Sequence, residues 1–194
     1  MENDEINVII ISGLAGSGKG VLTRMLAKKL NWGYLSIGDL WREQHAEFIK
    51  KTGKKISFHE YWVGIGVDEQ IAMDEKVRER IKKGKVVCDF RYTKLAQGLR
   101  AFRAFVTAPI LIRVQRAMKT GRYPGKSAEQ VKEILEIRED DELSTGKLIY
   151  GNDYDFRAPE QYDLVIDSGE TTVEEEAEII LNSIEKVKKT QQNV

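Results

Sequence analysis

Short apolar runs alternate along this chain with longer segments in which apolar side chains recur at helical spacing. The first run, residues 8–12, is rich in β-branched side chains, and residues 19–30 follow it with helical spacing. This order predicts a strand, a loop and a helix. Further short runs predict four more strands, at residues 33–37, 86–90, 104–108 and 162–167.

Between these runs the spacing favours amphipathic helices. One is predicted to begin near Asp39, since an aspartate can cap a first turn. The others are predicted at residues 68–82, 110–119, 128–142 and 173–189. Residues 50–55 form a polar break, and residues 58–66 are aromatic and glycine-punctuated, so we expect a mobile insert there rather than core. Residues 121–126 are glycine-rich and basic.

Strands that alternate with helices predict βαβ units and a central parallel sheet flanked by helices, a three-layer α/β fold. The length of 194 residues suits a single domain, predicted over residues 1–194. It would carry two mobile inserts, near residues 39–75 and 117–145. In such folds, binding sites are expected at the carboxyl ends of the strands.

The composition limits the classes of partner. Basic and acidic side chains number 31 each, so nothing attracts the chain as a whole to the phosphate backbone of a long nucleic acid. No apolar run approaches the roughly 18 residues that a membrane-spanning helix needs. We therefore expect a soluble protein that binds small anions locally.

The few cysteine and histidine side chains exclude several kinds of site. Cys88 stands alone, which rules out an intrachain disulfide and a paired-thiol metal site. His45 and His59 are too far apart, and too lacking in companions, to suggest a metal site. Residues 1–7 are acidic and polar, unlike a signal peptide. A cytoplasmic location is the expectation, and nothing here predicts the oligomeric state.

Residues 13–19 fit the pattern G-x-x-x-x-G-K directly after an apolar strand and before a helix. Glycines let consecutive backbone N–H groups surround an anion, the helix adds its positive end, and Lys19 reaches the β and γ oxygens of a nucleotide. A plain glycine-rich connection with a surface lysine is the weaker interpretation in this context. The sequence thus predicts a P-loop fold that binds ATP through Gly13, Leu14, Ala15, Gly16, Ser17, Gly18, Lys19, Gly20 and Val21.

The residues after Lys19 depart from the usual motif, in which a Ser or Thr hydroxyl contacts Mg²⁺. They are Gly20 and Val21, and Thr23 one turn further on is not assumed to substitute. Gly-Lys-Gly resembles the nucleoside monophosphate kinases, adenylate and cytidylate kinases included, where Gly-Lys-Gly-Thr is usual. Val21 departs even from that pattern.

Residues 36–42, Ser-Ile-Gly-Asp-Leu-Trp-Arg, resemble the S-x-G-D-L-x-R of archaeal-type cytidylate kinases. The resemblance implies that these residues bind the acceptor and that Arg42 grips its phosphate, a task that suits a guanidinium fork. Arg42 could instead lie along a helix face. The other acceptor-binding candidates are Ser36, Gly38 and Asp39, of which Ser36 and Asp39 could equally be turn and cap residues.

Residues 86–89 form an apolar strand that ends in an acid, Asp89, where the water shell of Mg²⁺ could be held beside the phosphate loop. Many strands end in Asp, so Asp89 alone is ambiguous. Arg91 follows at once. In the resembled kinases an arginine just after this strand binds the acceptor phosphate, and Arg91 is the matching position.

Arg113 and Arg116 lie three residues apart on one predicted helix face, just after Pro109. They match the R-x-x-R that opens the lid of this family, and Arg122 and Lys126 would lie at the lid tip. Mobile cations that close over the donor suit phosphoryl transfer, which depends on charge and positioning. The alternative is a solvated basic face.

Residues 137–141 resemble the returning lid helix, whose arginine contacts the transferring phosphoryl group, and Arg138 is the matching position. A second arginine follows about two turns on in archaeal-type cytidylate kinases. This chain has Thr145 there, with Lys147 nearby. Residues 149–153 and 162–167 also resemble the family, so the matches run from residue 8 to about residue 167.

The match is weakest at residues 45–65, where the acceptor base should be recognised. Trp41, Phe58, Tyr61 and Trp62 offer stacking surfaces there, although ordinary packing of an insert explains them at least as well.

The resemblance implies a transfer of the γ-phosphoryl group of ATP to CMP or dCMP. Lys19 and the loop would hold the donor, and Arg42 and Arg91 the acceptor. Three further arginines would stabilise the charge that develops between them, namely Arg113, Arg116 and Arg138. AMP or another small phosphorylated or hydroxyl metabolite is an alternative acceptor. A nucleotide-binding sensor or assembly factor with little transferase activity is the alternative from another class.

Overall fold

The structure is a computed structural model that describes residues 6–192. Residues 1–5, which belong to the acidic segment that differs from a signal peptide, lie outside the described residues. Within residues 6–192, no helix is long and apolar enough to cross a membrane.

Five strands form one sheet in the described part of the chain, in the order β2-β3-β1-β4-β5, and every pairing is parallel. Their bounds are β1 Val8–Gly13, β2 Gly33–Ser36, β3 Val86–Asp89, β4 Ala101–Thr107 and β5 Leu164–Asp167. The helices are α1 Lys19–Leu30, α2 Ile37–Thr52, α3 Phe58–Val63, α4 Val67–Ile81, α5 Ile110–Lys119, α6 Ala128–Tyr150 and α7 Val173–Gln192. The α/β fold with a parallel central sheet is confirmed.

Apolar side chains cover both faces of the sheet. Along β1, Val8 and Ile10 enter one core cluster with α4, whereas Ile9 and Ile11 enter a second one with α1 and α7. A strand that is buried on both faces needs a continuous apolar run, which explains the sequence of β1.

The carboxyl ends of β1, β2 and β3 meet at one edge. Asp89 pairs with Ile11 on one side and with Ser36 on the other. Within the sheet, β2 and β3 lie on one side of β1, and β4 and β5 lie on the other side. Such a reversal of strand order leaves a crevice beyond the strand ends, and the P-loop follows β1 into it.

Several elements differ from the prediction. Helix α2 begins at Ile37, because the Ser36 hydroxyl caps it by accepting a hydrogen bond from the Asp39 N–H at 3.3 Å. Residues 58–66 contain the short helix α3, whose capping box joins Ser57 and Glu60. Phe58, Trp62 and Ile65 of this stretch pack against the core cluster that includes α4. Residues 58–66 therefore contribute to the core, which the sequence analysis did not expect.

Helix α6 continues to Tyr150, eight residues past its predicted end at Glu142. Gly146 does not interrupt this helix, in which it is buried. A Cβ there would lie 3.0 Å from the Tyr92 ring and 3.1 Å from the Tyr154 ring, so the glycine lets both rings pack against the helix.

Candidate active site

A cavity of about 500 Å³ opens at the carboxyl edge of the sheet. One part of its lining comes from the P-loop and the start of α1, and another from α2, α3 and α4. The segment between α5 and α6 closes a third side. Residues far apart in the chain therefore share one space, as the sequence predicts for a site at the strand ends.

The second half of the P-loop forms the wall of the cavity. Gly16 and Gly18 have φ angles of +80° and +96°, which favour glycine. A Cβ on Gly16 would lie 2.7 Å from the Arg113 carbonyl oxygen, so a side chain has no room there. The loop leads into the N-terminus of α1, whose free N–H groups form an anion site. The cavity is lined by Gly16, Ser17, Gly18, Lys19, Gly20 and Val21.

The first half of the predicted loop lies behind this wall and does not line the cavity. A Cβ on Gly13 would lie 2.1 Å from the Val106 carbonyl oxygen, because the backbone of β4 passes directly beside it. The Leu14 N–H donates to the same oxygen at 3.2 Å. The Ala15 N–H donates to the Glu139 carboxylate at 3.1 Å. In this structure Gly13, Leu14 and Ala15 shape the loop and do not line the cavity.

Lys19 places its ammonium group deep in the site, 3.3 Å from the Leu14 carbonyl oxygen. Burial, together with the nearby Arg91 guanidinium, lowers the pKa of Lys19 to about 8. Asp89 and Glu142 oppose this change only in part. A buried ammonium beside other cations is best stabilised by a polyanion such as a nucleotide triphosphate.

The surroundings of Asp89 fit a hydrated Mg²⁺ ion. A Cβ on Gly20 would lie 3.2 Å from Asp89 Oδ2, so this carboxylate reaches the start of α1, where the usual motif has its hydroxyl. Thr23 cannot replace that hydroxyl, because its Oγ1 is buried and donates to the Lys19 carbonyl oxygen at 2.7 Å. The described residues contain no cluster of three or more metal-binding side chains. One carboxylate plus substrate phosphates is a common arrangement for Mg²⁺.

Arg91 and Arg138 face the cavity and share the Glu142 carboxylate. Arg91 forms an ion pair with Glu142 and donates to the Gly13 carbonyl oxygen at 2.7 Å. Arg138 Nη2 lies 3.6 Å from Glu142, and its Nη1 donates to the Tyr123 hydroxyl at 3.2 Å. Burial lowers the pKa of Arg138, but Glu142 and Tyr123 raise it more. Arg138 thus stays charged beside the P-loop.

Arg113 is the clearest departure from the predicted site. Its side chain is buried behind the P-loop and does not line the cavity. It pairs with Glu139 and donates to the carbonyl oxygens of Ala108 and Ala15, at 3.0 and 3.1 Å. These bonds tie α5, α6 and the loop together, so in this structure Arg113 supports the loop from outside the cavity lining.

Arg116, by contrast, reaches the cavity. Its guanidinium donates to the Ser17 carbonyl oxygen at 2.9 Å and to the hydroxyl and carbonyl oxygens of Ser168, at 2.8 and 2.6 Å. It lies within 3.6 Å of the position of a Cβ on Gly18. Arg116 therefore borders the phosphate end of the site while most of its donors are already engaged.

The second turn of α2 brings Arg42 into the lining of the cavity. Arg42 pairs with Asp39 and lies 5.9 Å from the centre of the Phe58 ring. A Cβ on Gly38 would lie 3.2 Å from the guanidinium, so the glycine gives Arg42 its room. Burial raises the pKa of Asp39, but Arg42 and Tyr34 lower it more.

Ser36 does not belong to the cavity. It is 4% exposed, caps α2 and is missing from the lining, whereas Gly38, Asp39 and Arg42 are part of it. Of the two readings that the sequence left open for Ser36, the structure favours the cap.

The segment between α5 and α6 contributes Arg122 and Tyr123 to the lining. Burial, and then the nearby Arg42 and Arg138 guanidinium groups, lower the pKa of Arg122. Lys126 and Thr145 do not line the cavity. The third cation beside Arg42 and Arg138 is therefore Arg122, which comes from the loop rather than from the position of Thr145.

The aromatic residues separate into two groups. Trp41, Phe58 and Trp62 line the cavity and also pack in the hydrophobic core, so their packing is shown and their stacking on a base stays a prediction. Tyr61 instead packs against His45 and Phe48, with ring centres 5.1 and 5.3 Å away.

The two histidines are held by separate partners. His45 Nε2 lies 3.0 Å from the Ile56 carbonyl oxygen. His59 Nε2 lies 2.7 Å from Asp141 Oδ2, which joins α3 to α6.

The polar residues of the lining that the sequence analysis missed include Gln70, Asp74 and Glu142. Gln70 and Asp74 lie on the buried stripe of α4 that also holds Met73, Val77 and Ile81. Two polar side chains on a stripe of helical spacing that is otherwise apolar could have indicated a site. Glu142 gave no such signal, since acidic residues surround it in the sequence.

Comparisons with known proteins agree with this geometry. The sequence profile of the cytidylate kinase-like family matches residues 8–170. A cytidylate kinase from Methanocaldococcus jannaschii is 30% identical over 189 residues, which cover 94% of this chain and 99% of that protein. A cytidylate kinase from Staphylothermus marinus is 30% identical over 182 residues, with coverage of 92% and 97%.

A solved structure shows the same fold. The shikimate kinase from Acinetobacter baumannii in complex with shikimate superposes with a TM-score of 0.61 at 16% identity, covering 95% of this chain and 96% of that one. At this level of identity the likeness concerns the fold alone.

Proposed function

Since this chain belongs to the cytidylate kinase-like family and is an ATP-dependent phosphotransferase, we propose that it transfers the γ-phosphoryl group of ATP to CMP or dCMP. The choice of acceptor rests on the relatives named above, whose names state that they are cytidylate kinases. A free, buried cysteine, Cys88, is consistent with a reducing, cytoplasmic setting for this reaction.

The observation that carries the proposal is a single cavity whose lining holds both the P-loop with Lys19 and arginines from other parts of the chain. We assign the donor end to the P-loop and Lys19 and the acceptor end to Arg42 of α2, with Arg91 and Arg138 also in the lining. A protein that binds one nucleotide needs the first end only. Two ends with cations between them suit a donor phosphate, an acceptor phosphate and a phosphoryl group in transfer.

Each charged side chain then has a role that its position supports. Lys19 and the N–H groups of the loop bind the β and γ phosphates of ATP. Arg42 and Arg91 bind the acceptor phosphate and orient its oxygen towards the γ-phosphorus. Arg138, with Arg122, stabilises the negative charge that is shared between the two substrates.

Mg²⁺ is proposed as the accompanying ion, held through water by Asp89 and directly by the phosphates. When bound, it neutralises phosphate charge between donor and acceptor. Glu142 now pairs with both Arg91 and Arg138 and must yield part of these contacts to the substrate phosphates. Its carboxylate holds the two cations in place before the substrates arrive.

The test is ADP release with ATP, Mg²⁺ and each of CMP, dCMP, UMP, AMP and GMP in turn, with a control that lacks an acceptor. Turnover that depends on CMP or dCMP is the expected result. Dependence on AMP would keep the mechanism and change the acceptor. Nucleotide binding without acceptor-dependent turnover would contradict the proposal and favour a sensor.

A further inference from the structure

Beyond the arginines, the cavity extends to one face of α4, where two polar side chains are buried. Gln70 is 9% exposed and Asp74 is 8% exposed, and both line the cavity. They lie four residues apart, so they project from the same face of the helix. Burying polar groups costs free energy unless they find partners, so their hydrogen bonds need to be accounted for.

Each side chain has one hydrogen bond within the described part of the chain. Asp74 Oδ2 accepts from the Tyr150 hydroxyl at 2.5 Å, and Gln70 Nε2 donates to the Ile65 carbonyl oxygen at 3.4 Å. Among the described residues, no donor meets Asp74 Oδ1 or Gln70 Oε1. Burial raises the pKa of Asp74 to about 6, although the Tyr150 hydroxyl opposes this change. Two oxygen acceptors thus remain for a ligand.

The walls around these acceptors suit a flat ring. Trp41, Phe58 and Trp62 line the same cavity. Aromatic side chains bind planar groups by stacking or edge contacts, and a few polar atoms among them fix the orientation of the ligand. Arg42 lies in the same lining, 5.9 Å from the Phe58 ring, so a phosphate there could carry a base towards α4.

We propose that Asp74 and Gln70 recognise the exocyclic amino group of the acceptor base, so that the site selects cytosine over uracil. This inference rests on the proposed function, phosphoryl transfer to a nucleoside monophosphate. The amino group of cytosine offers two N–H donors to the two oxygen acceptors. Uracil carries a carbonyl oxygen at the same ring position. This oxygen would face the oxygens of Asp74 and Gln70, and no hydrogen bond could form between them. A site built to hydrogen-bond one group rejects the analogue that lacks it, because its buried polar atoms then stay unpaired.

A purely structural role for Asp74 makes a different prediction. If its task were to anchor the end of α6 through Tyr150, its replacement would lower stability and affect all acceptors equally. If it contacts the base, its replacement changes the ratio of kcat/KM for CMP to kcat/KM for UMP. This ratio is therefore the measurement that separates the two roles.

The experiment compares wild-type protein with Asp74→Asn, which can donate an N–H to the uracil carbonyl. We expect the CMP to UMP ratio to fall roughly 10- to 100-fold, as for the loss of a hydrogen bond to a charged group. The control is Glu75→Gln, which makes the same change of charge on the exposed side of α4 and should leave the ratio unchanged. Tyr150→Phe removes the anchor without removing the acceptor, so its ratio should stay near that of wild type.

Gln70→Leu supplies an independent test that leaves the contact between Asp74 and Tyr150 intact, and it serves if Asp74→Asn does not fold. Its CMP to UMP ratio should also fall, by about tenfold. An unchanged ratio in folded Asp74→Asn, or in Gln70→Leu, would overturn the inference while the kinase function stands. A wild-type preference for UMP would overturn it as well. If wild-type protein transfers phosphate to no nucleoside monophosphate, the proposed function fails, and the inference fails with it.

Discussion

At the scale of single residues, Lys19 is a buried ammonium group that an anion would stabilise, and its pKa lies near physiological pH. Its pKa of about 8 means that half of the free protein has a neutral Lys19 at pH 8. A bound triphosphate favours the ammonium form, since an opposite charge raises the pKa of a lysine. Binding above pH 8 must therefore take up a proton.

The affinity for ATP is predicted to fall as the pH rises through 8. If the charged form alone binds, the dissociation constant rises roughly tenfold between pH 7 and pH 9. Isothermal titration calorimetry in buffers of different ionisation enthalpy measures both the affinity and the proton uptake. Lys19→Arg is the control, because an arginine stays charged and its affinity should be nearly constant over this range. A wild-type affinity that does not change with pH would contradict this account.

Single residues also show what the sequence could and could not reveal about the site. Lys19 and Asp89 are recognisable because a motif or a strand end marks them, and the structure places both in the cavity. Arg113 is marked in the same way by R-x-x-R spacing, yet it faces the loop from behind. Spacing gives the helix face but not what packs against that face, and here the partner is Glu139.

At the scale of elements, α6 supports the P-loop through a buried ion pair. The side chains of Arg113 and Glu139 are 8% and 12% exposed, and Glu139 also accepts from the Ala15 N–H. Removal of one partner of such a pair leaves the other charge buried and uncompensated. The pair should therefore matter for stability as well as for the shape of the loop.

Arg113→Met is predicted to lower the free energy of unfolding by about 3–5 kcal/mol, since it leaves Glu139 charged and buried. Adding Glu139→Leu should restore a large part of that loss. Urea denaturation of both variants and the wild type measures this difference. Lys132→Met serves as the control, because its pair with Glu136 is exposed at 3.8 Å and should contribute less than about 1 kcal/mol. A double variant as unstable as the single one would argue against the ion pair as the cause.

The helices and strands were predictable where they bury a regular stripe of apolar side chains. They were less predictable where capping or tertiary packing determines whether a helix forms or where it ends. The five strands and most helices follow from apolar spacing. Helix α3 was missed because aromatic residues and glycines indicate a loop, although its capping box at Ser57 and Glu60 is visible in the sequence. The end of α6 was missed because the packing of Tyr92 and Tyr154 on Gly146 is a tertiary effect.

At the scale of the whole molecule, the donor and acceptor ends come from distant parts of the chain. The P-loop follows β1, while Arg42 and Asp74 come from the segment predicted as the acceptor insert. The contact between His59 and Asp141 joins that segment to α6. Substrate binding at one end should therefore be separable from binding at the other, although a single cavity connects them.

Two alanine variants test this separation. Arg42→Ala is predicted to raise KM for the acceptor roughly 10- to 100-fold, since a charged hydrogen bond to phosphate is lost, and to leave the dissociation constant of ATP nearly unchanged. Lys19→Ala should do the reverse and abolish ATP binding or turnover. Calorimetry with ATP and steady-state kinetics with CMP measure the two effects on the same preparations. Acceptor kinetics like those of wild type in Arg42→Ala would remove Arg42 from the acceptor site. An equal loss of ATP binding in both variants would mean that the two ends form one donor site.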